Sequence, residues 1–162
     1  MSLETAEKMI DLLLTGEKGM KDYINPHKSP GLIIDFIGGE PLLEAKLIDQ
    51  ICSYAIGRMI ELNHPWLDKT MFSICSNGTL YHDPEVRKVL DKWKNRLSFS
   101  VTVDGNQELH DSCRIFPDGS PSYDLAVSAA KDWMDKGNYM GSKITIAPAN
   151  VMHTYDAIIH MF

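Results

Sequence analysis

The residues best placed to do chemistry are Gly38-Gly39-Glu40-Pro41, which follow the apolar run Leu32 to Ile37 and precede a helical pattern. A glycine pair permits positive φ and lets a backbone approach a ligand with no Cβ in the way. Glu40 then supplies an acceptor, and Pro41 stiffens the chain behind it. In parallel α/β architectures ligands sit at the carboxyl ends of strands, so a carboxylate held at that edge can receive an ammonium group. A plain turn, with Glu40 as a favourable charge near a helix amino terminus, accounts for the same four residues. Spacing alone leaves both readings standing.

A second feature lies in Leu97 to Asp104. Phe99, Val101 and Val103 alternate strictly with Ser98, Ser100, Thr102 and Asp104, which gives a strand one apolar and one polar face. A central strand of a doubly wound sheet is apolar on both faces, whereas a barrel strand whose lumen holds a polar ligand looks like this one. Asp35 in the first strand and Thr145 in the last fit the same polar face, and a face that merely meets solvent is the competing explanation. The 3 cysteines, Cys52, Cys75 and Cys113, are widely separated and odd in number, so they make neither a disulfide framework nor a local metal knuckle. His27, His64, His82, His153 and His160 show no metal-ligand spacing. No metal site is expected within the chain.

The elements that must position these residues follow from periodicity. Leu3, Ala6, Met9, Ile10, Leu13 and Leu14 recur at helical spacing, with Gly16 as the stop. The run Leu32 to Ile37 reads as a strand buried on both faces, and Leu43 to Ile60 as a second helix. Met71 to Cys75 is a second strand ending in Ser76-Asn77-Gly78. Asp83-Pro84 has the form of an N-cap followed by proline at the first helical position, ahead of a third helix with Val86, Leu90 and Trp93 inside. After the strand Leu97 to Val103 comes a polar loop. Ser122 is placed to cap a fourth helix that stops near Gly137, and Lys143 to Ala147 reads as a last strand. The order αβαβαβαβ predicts an α/β fold with about four parallel strands and right-handed crossovers.

With 162 residues, 44% of them hydrophobic and 23% charged, the chain has material for one core and is kept as one domain, 1–162. A net charge of -6, spread along the chain, argues against a nucleic acid or an anionic membrane as partner. No apolar run approaches the roughly 20 residues of a spanning helix, and the amino terminus lacks the pattern of a secretory signal. A cytoplasmic location with reduced thiols is the expectation.

The stretches FIGGEPLLE, SICSNGTLY, VTVDGNQELHDSCR and DGSPSYDLAVSAA follow one another as in the radical S-adenosylmethionine enzymes. The resemblance is to their peptide- and protein-modifying, SPASM-type branch, which includes the anaerobic sulfatase maturases. It implies a partial (β/α) barrel, with Gly38, Gly39, Glu40 and Pro41 closing the second barrel strand and Glu40 receiving the methionine ammonium of S-adenosylmethionine (AdoMet). It also implies cofactor contacts for Asn77, in the family's Thr-Asn-Gly turn, and for Thr102 and Asp104, in its Ser-x-Asp-Gly motif. His110-Asp111 and Arg114 match a His-Asp-x-x-Arg pattern for which a structural role, an ion pair or loop clamp, is expected. A cofactor-contacting arginine of some relatives falls near Ser128, so that contact is not carried over.

The resemblance further implies a four-iron four-sulfur cluster on Cys-x3-Cys-x2-Cys, and this chain has no such triplet. The first strand and its cluster loop are therefore expected upstream of Met1, and the rest of the barrel, with any cysteine-rich extension, beyond the carboxyl end. The chain reads as an internal piece of a larger enzyme, inactive alone, whose parent would use a 5'-deoxyadenosyl radical to modify a peptide or protein. No residue for the hydrogen-abstraction chemistry can be named from it. The open strand edges predict self-association. A non-catalytic module that binds a nucleoside or amino acid is the alternative.

Overall fold

The computed structural model describes residues 1–148 and 150–160. Helix α1 (Leu3–Thr15) begins at Ser2, whose hydroxyl accepts the Thr5 amide, and ends at Gly16 in the left-handed conformation. Strand β1 (Leu32–Phe36) leads through a short 3-10 turn, Pro41–Glu44, into α2 (Ala45–Glu61). Then follow β2 (Thr70–Ser76), α3 (Pro84–Trp93), β3 (Leu97–Thr102), a short α4 (Gln107–Asp111), α5 (Tyr123–Asp135), β4 (Met140–Lys143) and α6 (Thr154–His160). The expected Asp83 cap is present, accepting the Glu85 and Val86 amides ahead of Pro84.

The four strands form one parallel sheet in the order β1-β2-β3-β4. The order never reverses and the helices between successive strands pack on one face, as in a barrel and unlike a doubly wound sheet. Phe72, Ile74, Phe99 and Val101 pack under residues from α2, α3 and α5, including Ile48, Leu90, Ala129 and Trp133. Phe99 lies at the centre, stacked on Tyr81 with ring centroids 5.9 Å apart and meeting Trp133 edge-on at 5.3 Å. Ala6, Ile10 and Leu14 of α1 close a second cluster against Ile51, Ala55 and Met59 of α2, and Asp11 ties the two helices by accepting from Tyr54 and Arg58.

The register places Asp35, Ser73 and Ser98 side by side, and likewise Cys75, Ser100 and Gly141. Among the described residues, the helices that pack on the sheet do so against its other, apolar face. The expectation for the first strand is corrected here, because Ile33, Asp35 and Ile37 are exposed and β1 is covered on one face only. The last strand also differs: it occupies Met140–Lys143, not Lys143 to Ala147. Trp133 donates its indole N–H to the Tyr139 carbonyl at 2.9 Å, which delivers the chain to the sheet at Met140. Thr145 consequently lies past the strand end. Ser122 is a third correction: its hydroxyl makes no cap, and the carboxylate of Asp111 instead accepts the Ser122 and Tyr123 amides, each at 3.0 Å.

Gly78 shows how tightly the strand ends are packed. It has φ 78, and a Cβ there would stand 2.9 Å from Val101 Cγ1 and 3.2 Å from Ala126 Cα. Gly78→Ala should therefore lower the unfolding free energy by about 2–4 kcal/mol, from left-handed strain plus overpacking. Urea unfolding measures this, and a midpoint equal to the parent's would contradict the packing described.

Candidate site at the carboxyl ends of the strands

Gly38 and Gly39 leave β1 with φ 91 and φ 43, and both are exposed. A Cβ at either would meet nothing within 4 Å, so glycine is favoured there by backbone conformation and leaves open space beside it. Glu40 turns back toward the sheet. Its Oε1 accepts the Leu42 amide at 3.0 Å and the Ser76 hydroxyl at 2.8 Å, while Oε2 accepts the Asn77 amide at 2.8 Å. The carboxylate thus starts the turn at Pro41 and ties the exit of β1 to the exit of β2. Sequence reasoning offered an ammonium acceptor or a first-turn charge, and neither included this clamp.

Asn77 is bonded on both sides. Its amide reaches Glu40, and its side-chain oxygen accepts the amide and hydroxyl of Thr79, at 2.9 and 2.8 Å, which shapes the turn after β2. Thr102 closes β3, nearly buried, with its hydroxyl 3.9 Å from Cys75 Sγ on the polar face. Asp104 is fully buried. Its Oδ1 accepts the Thr145 amide at 2.7 Å and its Oδ2 accepts from Arg114 Nε. Arg114 also donates from Nη2 to the Thr145 hydroxyl at 2.7 Å. Asp104 repeats at β3 and β4 what Glu40 does at β1 and β2: a carboxylate from one strand exit accepts an amide just past the end of the next.

His110 completes this second clamp. Its Nδ1 accepts the Asp104 amide at 3.2 Å, and its Nε2 lies 3.0 Å from the Ser122 hydroxyl, which donates to the Arg114 carbonyl at 2.8 Å. That chain of donors assigns the neutral Nε2–H tautomer. Burial holds the imidazole below its usual range and Arg114 adds to this, against the opposing charges of Asp104 and Asp111. The structure thus brings His110, Asp111 and Arg114 together as the loop clamp expected of that motif, and it adds Thr145 and Ser122. Ser76 is the residue that sequence reasoning passed over. Its signal was a hydroxyl where the alternation Phe72, Ile74 calls for an apolar side chain.

The thiols do not converge. Cys52 is buried on α2 with its pKa pushed up by burial, Cys75 lies in β2, and Cys113 is exposed after α4. Among the described residues no group of three or more His, Cys, Asp or Glu side chains is placed to hold a metal ion. The chain's own residues therefore do not fit an iron–sulfur cluster.

A parallel sheet in sequential order has counterparts among solved structures. Native anSMEcpe, an anaerobic sulfatase-maturating enzyme, with bound AdoMet and the Kp18Cys peptide, superposes with a TM-score of 0.74 at 20% identity, over 99% of this chain and 40% of that one. The same enzyme with AdoMet alone gives 0.73 over 99% and 39%. In sequence, the serine-type anaerobic sulfatase-maturating enzyme of Bacteroides thetaiotaomicron is 31% identical over 125 residues, 71% of this chain and 25% of its own length. The chain is similar to the anaerobic sulfatase-maturating enzymes. The maturase-like fold and the resemblance expected from the four motifs are thereby shown. An uncharacterized protein of Methanocaldococcus jannaschii is 29% identical over 123 residues, 75% of this chain and 35% of its own length. The maturase-like chain thus spans between a quarter and two fifths of the lengths of these proteins. No protein-family model matches it.

Two measurements test the clamps. Glu40→Ala leaves Leu42, Ser76 and Asn77 without their acceptor and should cost roughly 1–3 kcal/mol in urea unfolding, more than the 0.3–1 kcal/mol of a first-turn charge. For His110, the depressed folded pKa means that the unfolded chain takes up a proton the folded chain does not, from the ordinary value of about 6.5 downward. Stability present above that value is lost as pH falls below it. The melting temperature should drop between about pH 7.5 and about pH 5.5, and His110→Asn should reduce that slope. His64, also lowered by burial, leaves a residual slope of the same sign.

Proposed function

We propose that this chain supplies the AdoMet-binding side of a maturase-like enzyme that modifies a peptide or protein. The observation that carries the reading is the strand-end edge, where Gly38 and Gly39 open onto free space and Glu40 is held beside Asn77 at the neighbouring exit. AdoMet-bound maturases share the fold. Backbone groups of Gly38 and Gly39, with the Glu40 carboxylate, would receive the methionine end. Pro41 fixes the turn behind them. Asn77 and Thr102 would line the polar side of the sheet, and Asp104 would act through the loop it holds. When bound, AdoMet would supply a 5'-deoxyadenosyl group for hydrogen abstraction from the substrate, given one electron from a cluster whose ligands this chain does not provide.

Residues 1–162 would form one partial barrel domain. Because the chain's thiols do not fit a cluster, the ligands of a four-iron four-sulfur cluster would come from sequence outside this one, and the chain alone would be inactive. A cytoplasmic setting suits its free thiols. Among the described residues no helix is long and apolar enough to cross a membrane. Exposed Ile33 and Met71 on the uncovered face of the sheet favour self-association in isolation. The same scattered thiols favour a second reading, a non-catalytic module that keeps a nucleoside- or amino-acid-binding edge. An in-frame Cys-x3-Cys-x2-Cys upstream of Met1 supports the enzyme over the module.

Titration of the isotope-labelled chain with AdoMet tests the edge itself. The amide signals of Gly38, Gly39, Asn77 and Thr102 should shift, while those of Lys8 and Met134 on outer helix surfaces stay in place. Shifts confined to the outer helices, or none at millimolar AdoMet, would overturn the proposal.

A further inference from the structure

We infer that Ser76 is a positioning residue that fixes which oxygen of Glu40 can meet a ligand's ammonium group. The inference rests on the AdoMet reading above. Ser76 ends β2 in register with Val101, on the helix-covered side, and is only 2% exposed. A hydroxyl in that position must be paired within the chain. Its proton goes to Oε1 of Glu40, and its oxygen accepts the Gly78 amide at 2.9 Å. Oε1 also takes the Leu42 amide, so both of its acceptor sites are used internally. Oε2 takes the Asn77 amide, and among the described contacts its second acceptor site remains. An ammonium group at this edge therefore meets Oε2.

Among the described residues Ser76 is the one side-chain donor to Glu40, since the other two donors are backbone amides. Without its hydroxyl, the carboxylate keeps two backbone bonds, Leu42 at Oε1 and Asn77 at Oε2, and is held less firmly about its terminal torsion, which is broad and shallow for glutamate. The ligand-facing geometry would then be one of several populated states, and apparent affinity would fall by the fraction lost.

Ser76→Ala and Ser76→Thr, titrated calorimetrically with AdoMet beside the parent chain and well below their melting temperatures, test this. Ser76→Ala should bind on the order of tenfold more weakly, and Ser76→Thr, which keeps a hydroxyl, within about twofold of the parent. A contribution to folding alone would leave the affinity of folded protein unchanged. Should Ser76→Ala not fold, Ser76→Cys, of similar size with a weak donor, should fall between the parent and that loss. Affinity of Ser76→Ala equal to the parent's overturns this inference and leaves the AdoMet edge intact. A Ser76→Thr as weak as Ser76→Ala overturns it too, because shape rather than the hydroxyl would then matter. No binding by the parent chain overturns the edge and the inference together.

Discussion

Where a parallel sheet ends, the backbone amides just past the last ladder pair have no strand partner, and buried or half-buried amides left unpaired are costly. This chain meets that constraint twice with the same device. Glu40 leaves β1 and accepts the Asn77 amide just after β2. Asp104 leaves β3 and accepts the Thr145 amide just after β4. Each carboxylate holds two neighbouring exits in fixed relation, and each is itself held, Glu40 by Ser76 and Asp104 by Arg114. The exits form a shaped edge because these bonds bridge them, while the ladders beneath set only their spacing.

The core explains why the edge faces where it does. Helices α1, α2, α3 and α5 all lie against the face bearing Ile34, Phe72, Ile74, Phe99 and Val101, leaving the opposite face with Ser73, Cys75, Ser98 and Ser100. Burial of the aromatic group around Phe99 supplies the driving force, and strand alternation then delivers polar side chains to the uncovered side. A sheet so built presents its hydroxyls and its glycine turn toward the same open space. That arrangement suits a polar ligand with a charged end better than an apolar one.

Much of this was legible in the sequence, for reasons that are local. Periodicity located α1, α2, α3 and α5 but not the short α4, which lies in the stretch read as a polar loop; Asp83-Pro84 marked a helix start through cap chemistry, and the alternation in Leu97 to Asp104 separated the two faces. The failures are equally physical. Leu32 to Ile37 is apolar throughout, and composition cannot show that one face lacks a cover. Lys143 to Ala147 has the residues of a strand, but the indole of Trp133 fixes where the chain meets the sheet, which is a tertiary contact. Ser122 sits at a cap position, yet its hydroxyl is drawn to His110 and Arg114. The clamps join residues 36 or more positions apart, Glu40 to Ser76 and Asp104 to Thr145, so no spacing rule exposes them.

The account depends on the clamps existing before any ligand arrives, and native-state amide hydrogen exchange of the chain alone tests that most directly. The amides of Asn77 and Thr145 should be protected to within about tenfold of the interior β2 amides, because each is bonded to a carboxylate fixed at a second point. Exchange of both at the rate of an open loop, with the strand amides still protected, would contradict the account and leave the strand ends unbridged.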